Sequence, residues 1–302
     1  MIGYSIRIGS RTMPSLESIN MESLFTMLKG EPGTRKSTCA LSYPGKQYWI
    51  STDQKMEALT LPAKRWGIYG KGMIDYDDYN DWDKPRAKLE TLQVNCPYKL
   101  IVVDSITSIG DCMTSQVKKL KRQAGEGKKI GGIPVSGLEE FNAESSAFQE
   151  LVALLKDIHK YHNVNVILIA HVLGARKDND ANKLTHHSRI IVTGAEKISA
   201  KLASYMTEVY HFNIKPAFEA DKEGAYTLMT THTGNDYART SLPLPQEIQF
   251  NNEPLWDKWI SPAIKRLNEE KPVERISPVS SGSVNQTQQT TNNITPFTPN
   301  VK

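Results

Sequence analysis

The sequence predicts an α/β protein with a mostly parallel central sheet, and three observations support that fold class. Residues 100–103 and 164–170 are mainly apolar runs, typical of parallel strands that are buried on both faces. Apolar residues at helical spacing over 148–158 precede the second run. A glycine-containing loop at residues 30–38 stands between a predicted strand and a predicted helix. Strands that alternate with helices favour an open sheet with helices on its faces.

The individual elements follow from local residue patterns. A first strand over residues 24–28 leads into the loop, and the helix after the loop ends before Pro44 and Gly45, which disfavour helix. The aspartates between residues 75 and 83 are interpreted as a loop and a helix cap rather than a calcium site. Further strands are predicted at residues 47–51, near 72–74, and at 100–104, 164–170, 208–213 and 226–231, with helices at 36–42, 81–93 and 148–158.

The composition narrows the classes of protein to which the chain can belong. With 302 residues, of which 39% are hydrophobic, the chain can bury a sizeable core. The 37 Lys and Arg residues against 33 Asp and Glu residues give a net charge of +4, which permits a nucleic-acid partner without requiring one. Cys39, Cys96 and Cys112 are not spaced as metal-ligand or redox pairs, so we expect a reducing cytoplasm. No apolar run approaches the roughly eighteen residues of a membrane span, so membrane association is not expected.

Changes in composition along the chain predict three segments. Residues 1–22 are polar and weakly patterned, and we interpret them as an N-terminal arm. Residues 23–265 carry the α/β pattern, which becomes strand-rich after about residue 205. Residues 266–302 are dominated by Ser, Thr, Gln, Asn and Pro, so we expect a disordered tail that cannot form a core.

The loop at residues 30–38 has the order expected of a phosphate-binding loop. Such a loop turns successive backbone N–H groups toward one point, and the following helix N-terminus adds partial positive charge. Lys36 is expected to reach the β- and γ-phosphates of ATP, and the Ser37 hydroxyl to bind Mg²⁺. The alternative is a Gly-Pro turn before a basic helix start. The loop residues are Gly30, Glu31, Pro32, Gly33, Thr34, Arg35, Lys36, Ser37 and Thr38.

Arg35 departs from the usual pattern, in which a glycine precedes the lysine. If the position requires a left-handed conformation, a residue other than glycine costs roughly 1–2 kcal/mol there. The arginine side chain would then either crowd the nucleotide or point outward, toward a phosphate or a partner.

Polar side chains end three of the predicted strands, at the sheet edge where ligands bind in open α/β folds. Asp104 is expected to hold Mg²⁺, unless it merely terminates its strand. Asp53 could orient or deprotonate an attacking water, or it could cap a helix that begins nearby. His171 could hydrogen-bond the γ-phosphate or the water and so sense hydrolysis, or it could be ordinary polar surface.

These residues, in this order, resemble the phage-encoded RecA-like ATPases, a group of AAA-domain or phage nucleotide-binding proteins related to single-strand-annealing recombinases. The resemblance covers residues 22–262 and rests on the phosphate loop and five later segments. Those segments are residues 48–53, 100–105, 166–171, 234–240 and 242–245.

The resemblance implies a RecA-like P-loop core over residues 23–265 that binds ATP with Mg²⁺ in the cytoplasm of a bacterial host. It implies a part in DNA recombination, repair or replication of a phage or prophage. It assigns the catalytic roles to Lys36, Asp53 and His171. The family has a glutamate where Asp53 stands, so the side chain here is one methylene shorter. In a ring or filament of identical subunits, Arg239 would reach a γ-phosphate as an arginine finger; the alternative is a salt bridge.

Two basic segments are candidates for contact with DNA, which we expect to be single-stranded. Flexible basic loops follow phosphates without reading sequence. The alternative is a solvated charged face, which is the usual role of such a run. The residues concerned are Lys118, Lys119, Lys121, Arg122, Lys128 and Lys129 in the first segment, and Arg176 and Lys177 in the second.

Two functional hypotheses follow from the sequence. The first is a Mg²⁺-dependent ATPase that acts on DNA. The second is a nucleotide-binding loader or scaffold with little turnover, which serves another phage replication or recombination protein. Arg35 and the shorter Asp53 favour the second hypothesis, whereas ATP turnover stimulated by DNA would favour the first. A small-molecule kinase ranks last, because the sequence has no identifiable Arg-rich lid or acceptor pocket.

Overall fold

A computed structural model of the chain describes residues 21–125, 129–130, 133–134, 137–172, 198, 201–215, 224–233 and 237–269. The described residues belong to one compact unit that ends at Glu269. The proposed arm before residue 21 and the proposed tail beyond residue 269 lie outside them. None of the described helices is both long and apolar enough to cross a membrane.

The elements of the described chain alternate largely as the sequence predicts. In order they are β1 (Phe25–Gly30), α1 (Lys36–Leu41), β2 (Gln47–Ser51), α2 (Thr60–Arg65), β3 (Ile74–Asp78), α3 (Asp83–Val94), β4 (Leu100–Asp104), α4 (Ile106–Gln123), β5 (Lys129–Ile130), β6 (Ile133–Pro134), α5 (Leu138–His162), β7 (Asn165–His171), β8 (Glu208–Lys215), β9 (Ala225–Met229), β10 (Glu247–Phe250) and α6 (Ser261–Glu269). Helix α6 continues past residue 265, where the tail was expected to begin.

Eight of these strands form one sheet in the order β10-β9-β8-β1-β7-β4-β2-β3. The six strands from β8 to β3 are mutually parallel, whereas β9 and β10 run antiparallel at one edge. This arrangement confirms the predicted α/β class with a mostly parallel central sheet and a strand-rich C-terminal part. Because β1, β2, β4 and β7 are parallel, their carboxyl ends lie together along one side of the sheet.

The sheet separates two hydrophobic cores, because alternate residues of each strand face opposite sides. In β4, Ile101 and Val103 pack on one side among residues of α3, α4 and α5. Leu100 and Val102 pack on the other side with residues of α1 and α6. All four side chains are fully buried. Helices therefore cover both faces of β4, as its unbroken apolar run predicts.

The acidic segment after residue 74 is a strand, and our interpretation of its first aspartates as a loop was wrong. Asp75 and Asp77 lie in β3 at the sheet edge. The Tyr98 hydroxyl donates to Asp75 (3.0 Å), which also pairs with the Lys46 ammonium (2.7 Å). The Tyr48 hydroxyl donates to Asp77 (2.7 Å). These tertiary contacts satisfy carboxylates that local propensity disfavours in a strand.

Helix α5 extends further than its apolar pattern indicates, and α4 is a helix that the sequence analysis did not predict. The spacing predicts a helix over 148–158, whereas α5 already begins at Leu138. Its first turns carry polar residues, and the Glu140 carboxylate accepts a hydrogen bond from the Gly137 N–H (2.8 Å). Helix α4 starts directly after β4, where the Ser105 hydroxyl accepts from the Ser108 N–H (3.3 Å) as its N-cap. The first turns of α5 therefore lie outside the apolar repeat of residues 148–158, whereas α4 buries Ile106, Ile109 and Met113 at helical spacing.

Gly30 provides a test of the contact between β1 and β8. Its φ is 157°, and a Cβ at this position would lie 2.4 Å from the Phe212 carbonyl oxygen. We expect Gly30→Ala to reduce the free energy of unfolding by about 3 kcal/mol, because it adds both backbone strain and overpacking. Urea denaturation followed by circular dichroism measures the change.

Gly67→Ala is the matched control, because Gly67 has φ 66° but no atom within 4 Å of an added Cβ. The control should lose only the conformational cost of about 1 kcal/mol. Equal losses in the two variants would contradict the close approach of β1 and β8.

Candidate phosphate-binding site

Lys36 is the first residue of α1, and its side chain reaches back to the loop that follows β1. Its side chain is buried, and its ammonium donates to the carbonyl oxygens of Gly30 (2.9 Å) and Glu31 (2.8 Å). The Thr34 hydroxyl lies 3.3 Å from the same nitrogen and donates to the Glu31 carbonyl (2.8 Å). Two backbone carbonyls and one hydroxyl of the loop thus surround a single positive charge.

Burial lowers the pKa of Lys36 to about 8, although the negative charges of Asp104, Asp53 and Glu31 act in the opposite direction. An ammonium group that is partly desolvated gains more from an additional anion than a solvated one does. The loop is therefore suited to a ligand with negative charge, such as a phosphate chain.

Arg35 adopts the left-handed conformation that its position in the loop requires, with φ 65° and ψ 25°. Its guanidinium group lies over the ring of Tyr226, 3.8 Å from the ring centroid. It also donates to the carbonyl of Asn251 and to the side-chain oxygen of Asn252 (3.3 Å). Of the two orientations left open by the sequence, the structure has the outward one, toward the end of β10.

Ser37 and Asp104 form the pair that the sequence proposes as metal ligands. The Ser37 hydroxyl donates to Asp104 Oδ2 across 2.7 Å. Burial raises the pKa of Asp104, while the hydrogen bond from Ser37 lowers it. No three His, Cys, Asp or Glu side chains of the described chain are grouped so that they could hold a metal ion. Two oxygen ligands nevertheless fit Mg²⁺, which is usually bound by few protein groups together with substrate phosphates.

Asp53 follows β2 and accepts hydrogen bonds on both carboxylate oxygens. Ser105 (3.0 Å) and Ser108 donate to Oδ1, and His171 Nε2 lies 3.3 Å from Oδ2. Burial alone would raise the pKa of Asp53, but the hydrogen bonds from these three residues outweigh burial and lower the pKa below its usual range. The hydroxyl donors come from the start of α4, so Asp53 connects the ends of β2, β4 and β7.

The strand ends surround one cleft of about 320 Å³. Its lining includes the loop from Pro32 to Thr38 and the side chains of Asp53, Asp104 and His171. The structure therefore brings together the residues that the sequence proposes for phosphate, metal and water, except Gly30 and Glu31, which do not line the cleft. It adds Lys55 to the lining, and Ser105 and Ser108 to the network around Asp53. The one sequence signal for these serines was their position directly after the strand that ends in Asp104.

Other proposed site residues lie away from the cleft. The backbone of Arg239 pairs with Val209 in β8, and its guanidinium donates to the Ser204 carbonyl (3.3 Å). Lys121 is paired with Glu139 and with Glu140 (3.0 Å). The exposed Lys119, Arg122 and Lys129 and the half-buried Lys118 lie in or beyond the last turns of α4. Lys128, Arg176 and Lys177 fall outside the described residues.

Similarity to known proteins extends over most of the chain. The model of the AAA domain family matches residues 24–242, a range that contains every residue of the cleft. Among solved structures, the chain is similar to the RadB recombinase, with 19% sequence identity and a TM-score of 0.43. That similarity covers 76% of this chain and 89% of the RadB chain. The comparison with curated proteins finds no match.

The network around Asp53 predicts a pH-dependent effect of Ser108→Ala. We expect this variant to lose about 1.5–3 kcal/mol of unfolding free energy at pH 7, because it removes a hydrogen bond to a charged group. The pKa of Asp53 is lower in the folded than in the unfolded chain. Its stabilisation is therefore present above the ordinary pKa of 3.8 and is lost as the pH falls below that value.

Denaturation of both proteins from pH 7 down to about pH 2 tests this expectation: the pKa of Asp53 in the unfolded chain is common to both, so the difference in stability narrows only below 3.8, where Asp53 of the folded variant takes up its proton first. Ser146→Ala serves as the control, because the Ser146 hydroxyl donates to the neutral Asn142 carbonyl (3.1 Å) on an exposed helix face. Its smaller effect should not change with pH. A pH-independent loss in Ser108→Ala would rule out the charged acceptor.

Proposed function

The chain belongs to the AAA domain family, and from that premise we propose that it is a Mg²⁺-dependent, ATP-binding and ATP-hydrolysing protein that acts on DNA. We further propose that the DNA is single-stranded and that the protein serves recombination, repair or replication of a phage in the cytoplasm of its bacterial host. The observation that carries the proposal is the convergence of Lys36, Ser37, Asp104, Asp53 and His171 on one cleft.

The phosphate chain of ATP would lie against the loop, next to the Lys36 ammonium, which in this structure is hydrogen-bonded to oxygen atoms of the loop itself. The Lys36 ammonium is already buried and bonded to three oxygen atoms. Phosphate oxygens can therefore replace the carbonyl oxygens without a further cost for removing the ammonium from water. Ser37 and Asp104 would hold Mg²⁺ beside the phosphates. When bound, the ion supplies positive charge that neutralises the phosphate oxygens.

Asp53 and His171 are the groups placed to orient a water molecule at the end of the phosphate chain. The lowered pKa makes the Asp53 carboxylate a weak proton acceptor, so orientation of the water is its better-supported role. His171 lies at the end of β7, where its ring Nε2 contacts Asp53 (3.3 Å) and its backbone N–H donates to the Thr107 hydroxyl (3.3 Å). A change at the phosphates would therefore act on the start of α4.

Helix α4 offers a physical route from the cleft to DNA. Ser108 contacts Asp53 near its start, and Lys118 lies ten residues further on, about 15 Å along the helix. A packed helix moves as a rigid element, so a shift of its first turn would be transmitted to the basic residues at its other end. Lys119 and Arg122 are the exposed charges there, whereas the charge of Lys121 is already paired.

Assembly into a ring or filament of identical subunits is part of the same proposal, with Arg239 as an arginine finger toward a neighbouring subunit. Within its own chain, Arg239 donates to a backbone carbonyl and is not paired there with the cleft. The finger role thus depends on a second copy of the chain.

A nucleotide-binding loader or scaffold with little turnover is the second candidate function. It is favoured by the Asp53 carboxylate, whose three donors and lowered pKa make it a poor base. ATP turnover measured with and without single-stranded DNA separates the candidates. Turnover that rises with DNA supports the ATPase, and tight ATP binding without turnover supports the loader.

Lys36→Ala tests the nucleotide dependence. We expect the variant to fold but to lose ATP-dependent binding to single-stranded DNA, because the charge at the centre of the loop is gone. Fluorescence anisotropy of labelled DNA, with and without Mg²⁺ and ATP, measures the loss, and circular dichroism checks the fold. Lys265→Ala, on the exposed face of α6, is the control. Full ATP-dependent DNA binding by Lys36→Ala would refute the mechanism.

The double variant Lys119→Ala/Arg122→Ala tests the DNA contact at the end of α4. We expect weaker binding to single-stranded DNA and a log-log salt slope reduced by about 0.7 for each phosphate contact removed. ATP binding should stay unchanged, because neither residue lines the cleft. Anisotropy titrations at several salt concentrations give the slope. An unchanged affinity and slope would place the DNA contact elsewhere.

A further inference from the structure

The side chain of Arg35 contacts three residues that lie outside the phosphate cleft. Its guanidinium lies 3.8 Å from the centroid of the Tyr226 ring in β9. The same group donates to the carbonyl of Asn251 and to the side-chain oxygen of Asn252 (3.3 Å), directly after β10. None of these three partners lines the cleft. The two asparagines also lie beyond residue 242, where the match to the AAA domain family ends.

The residues that follow β10 also contact the other end of α1. The Trp256 N–H donates to the Ser42 hydroxyl (3.1 Å), and the Trp256 ring lies 4.4 Å from the ring of Tyr43. Helix α1 has only six residues, and a helix of that length is not stable without tertiary contacts. Residues 251–256, which we call the clamp segment, therefore contact the chain just before and just after α1.

The backbone of Arg35 depends on these contacts, because its conformation is unfavourable for a residue with a Cβ. Its φ of 65° and ψ of 25° lie in the left-handed region, which glycine alone adopts freely. Without the contacts, the loop would leave this conformation for part of the time. The apparent affinity of a ligand falls in proportion to the fraction of molecules that can bind it. The usual cost of a left-handed residue corresponds to a loss of about tenfold.

We propose that Arg35 is a positioning residue of the phosphate-binding loop, and that Tyr226 and the clamp segment hold it in the conformation that binds phosphate. The inference rests on the proposed nucleotide binding and extends it to residues beyond the family match. A glycine at this position would need no such support, because the left-handed conformation costs it little. Arginine makes the phosphate affinity of this chain depend on β9 and on the residues after β10.

A double-mutant cycle on Arg35 and Tyr226 tests the inference, with Mg·ATP binding measured by calorimetry well below the temperature of unfolding. We expect Tyr226→Leu to weaken binding about fivefold, because a cation–π contact contributes on that scale. In the Arg35→Gly background, Tyr226→Leu should cause no further change, since glycine does not need the ring. If Tyr226 only stabilised the fold, Tyr226→Leu would have the same effect in both backgrounds.

Three further variants serve as controls. Tyr226→Phe keeps the ring, so it should bind Mg·ATP as the unsubstituted protein does. Tyr69→Leu is the matched control, because the Lys64 ammonium lies 5.0 Å from the Tyr69 ring centroid and neither residue lines the cleft. It removes a contact of the same kind and should leave the affinity unchanged. Asn252→Ala removes the side-chain acceptor of Arg35 and replaces Tyr226→Leu in the cycle if that variant does not fold.

The outcomes separate this inference from the proposed function. If neither Tyr226→Leu nor Asn252→Ala weakens Mg·ATP binding, or if the weakening is equal in the Arg35→Gly background, the positioning role is overturned and the phosphate site stands. If the unsubstituted protein does not bind Mg·ATP, or if Lys36→Ala binds it equally well, the proposed function itself fails.

Discussion

The level at which the parallel strands end is the constraint on which the rest of the molecule depends. In the register of the sheet, Gly30 of β1 lies beside His171 of β7, and Asp104 of β4 lies beside Ile169 of the same strand. Because both faces of β4 are buried, a slip of one residue would move each of its side chains into the opposite core and displace the strand-end side chains together. The packing that stabilises the fold therefore also assembles the cleft.

Arg35 illustrates how a local cost is offset by tertiary contacts. A left-handed conformation is unfavourable for arginine by roughly 1–2 kcal/mol. The cation–π contact with Tyr226 and the hydrogen bonds to residues 251 and 252 act against that cost. These contacts join the phosphate loop to the C-terminal strands, which in turn are hydrogen-bonded to β1 through β8. The arginine at position 35 thus connects the loop after β1 with β9 and the residues that follow β10.

Asp53, like Arg35, joins separate elements of the fold next to the cleft. Its carboxylate receives hydrogen bonds from His171 and from two serines of α4, so the ends of three strands share one charged acceptor. A group held in this way is well oriented but weakly basic. Orientation and low basicity together account for why both an ATPase and a nucleotide-binding module remain consistent with the residues of the cleft.

The sequence by itself determined the fold class, the succession of the central strands along the chain and the position of the loop between β1 and α1. Those features follow from local patterns: unbroken apolar runs, a loop of defined spacing, and polar residues directly after strands. It did not determine the strand character of the acidic segment in β3, the length of α5, or the direction of the Arg35 side chain. The early start of α5 has a local cause, since the Glu140 carboxylate accepts from Gly137 three residues before it. Tertiary structure decided the strand character of β3 and the direction of Arg35, because Tyr48, Tyr98 and Tyr226 come from other parts of the chain. Their contacts outweigh local propensities, which differ by only about 1 kcal/mol per residue.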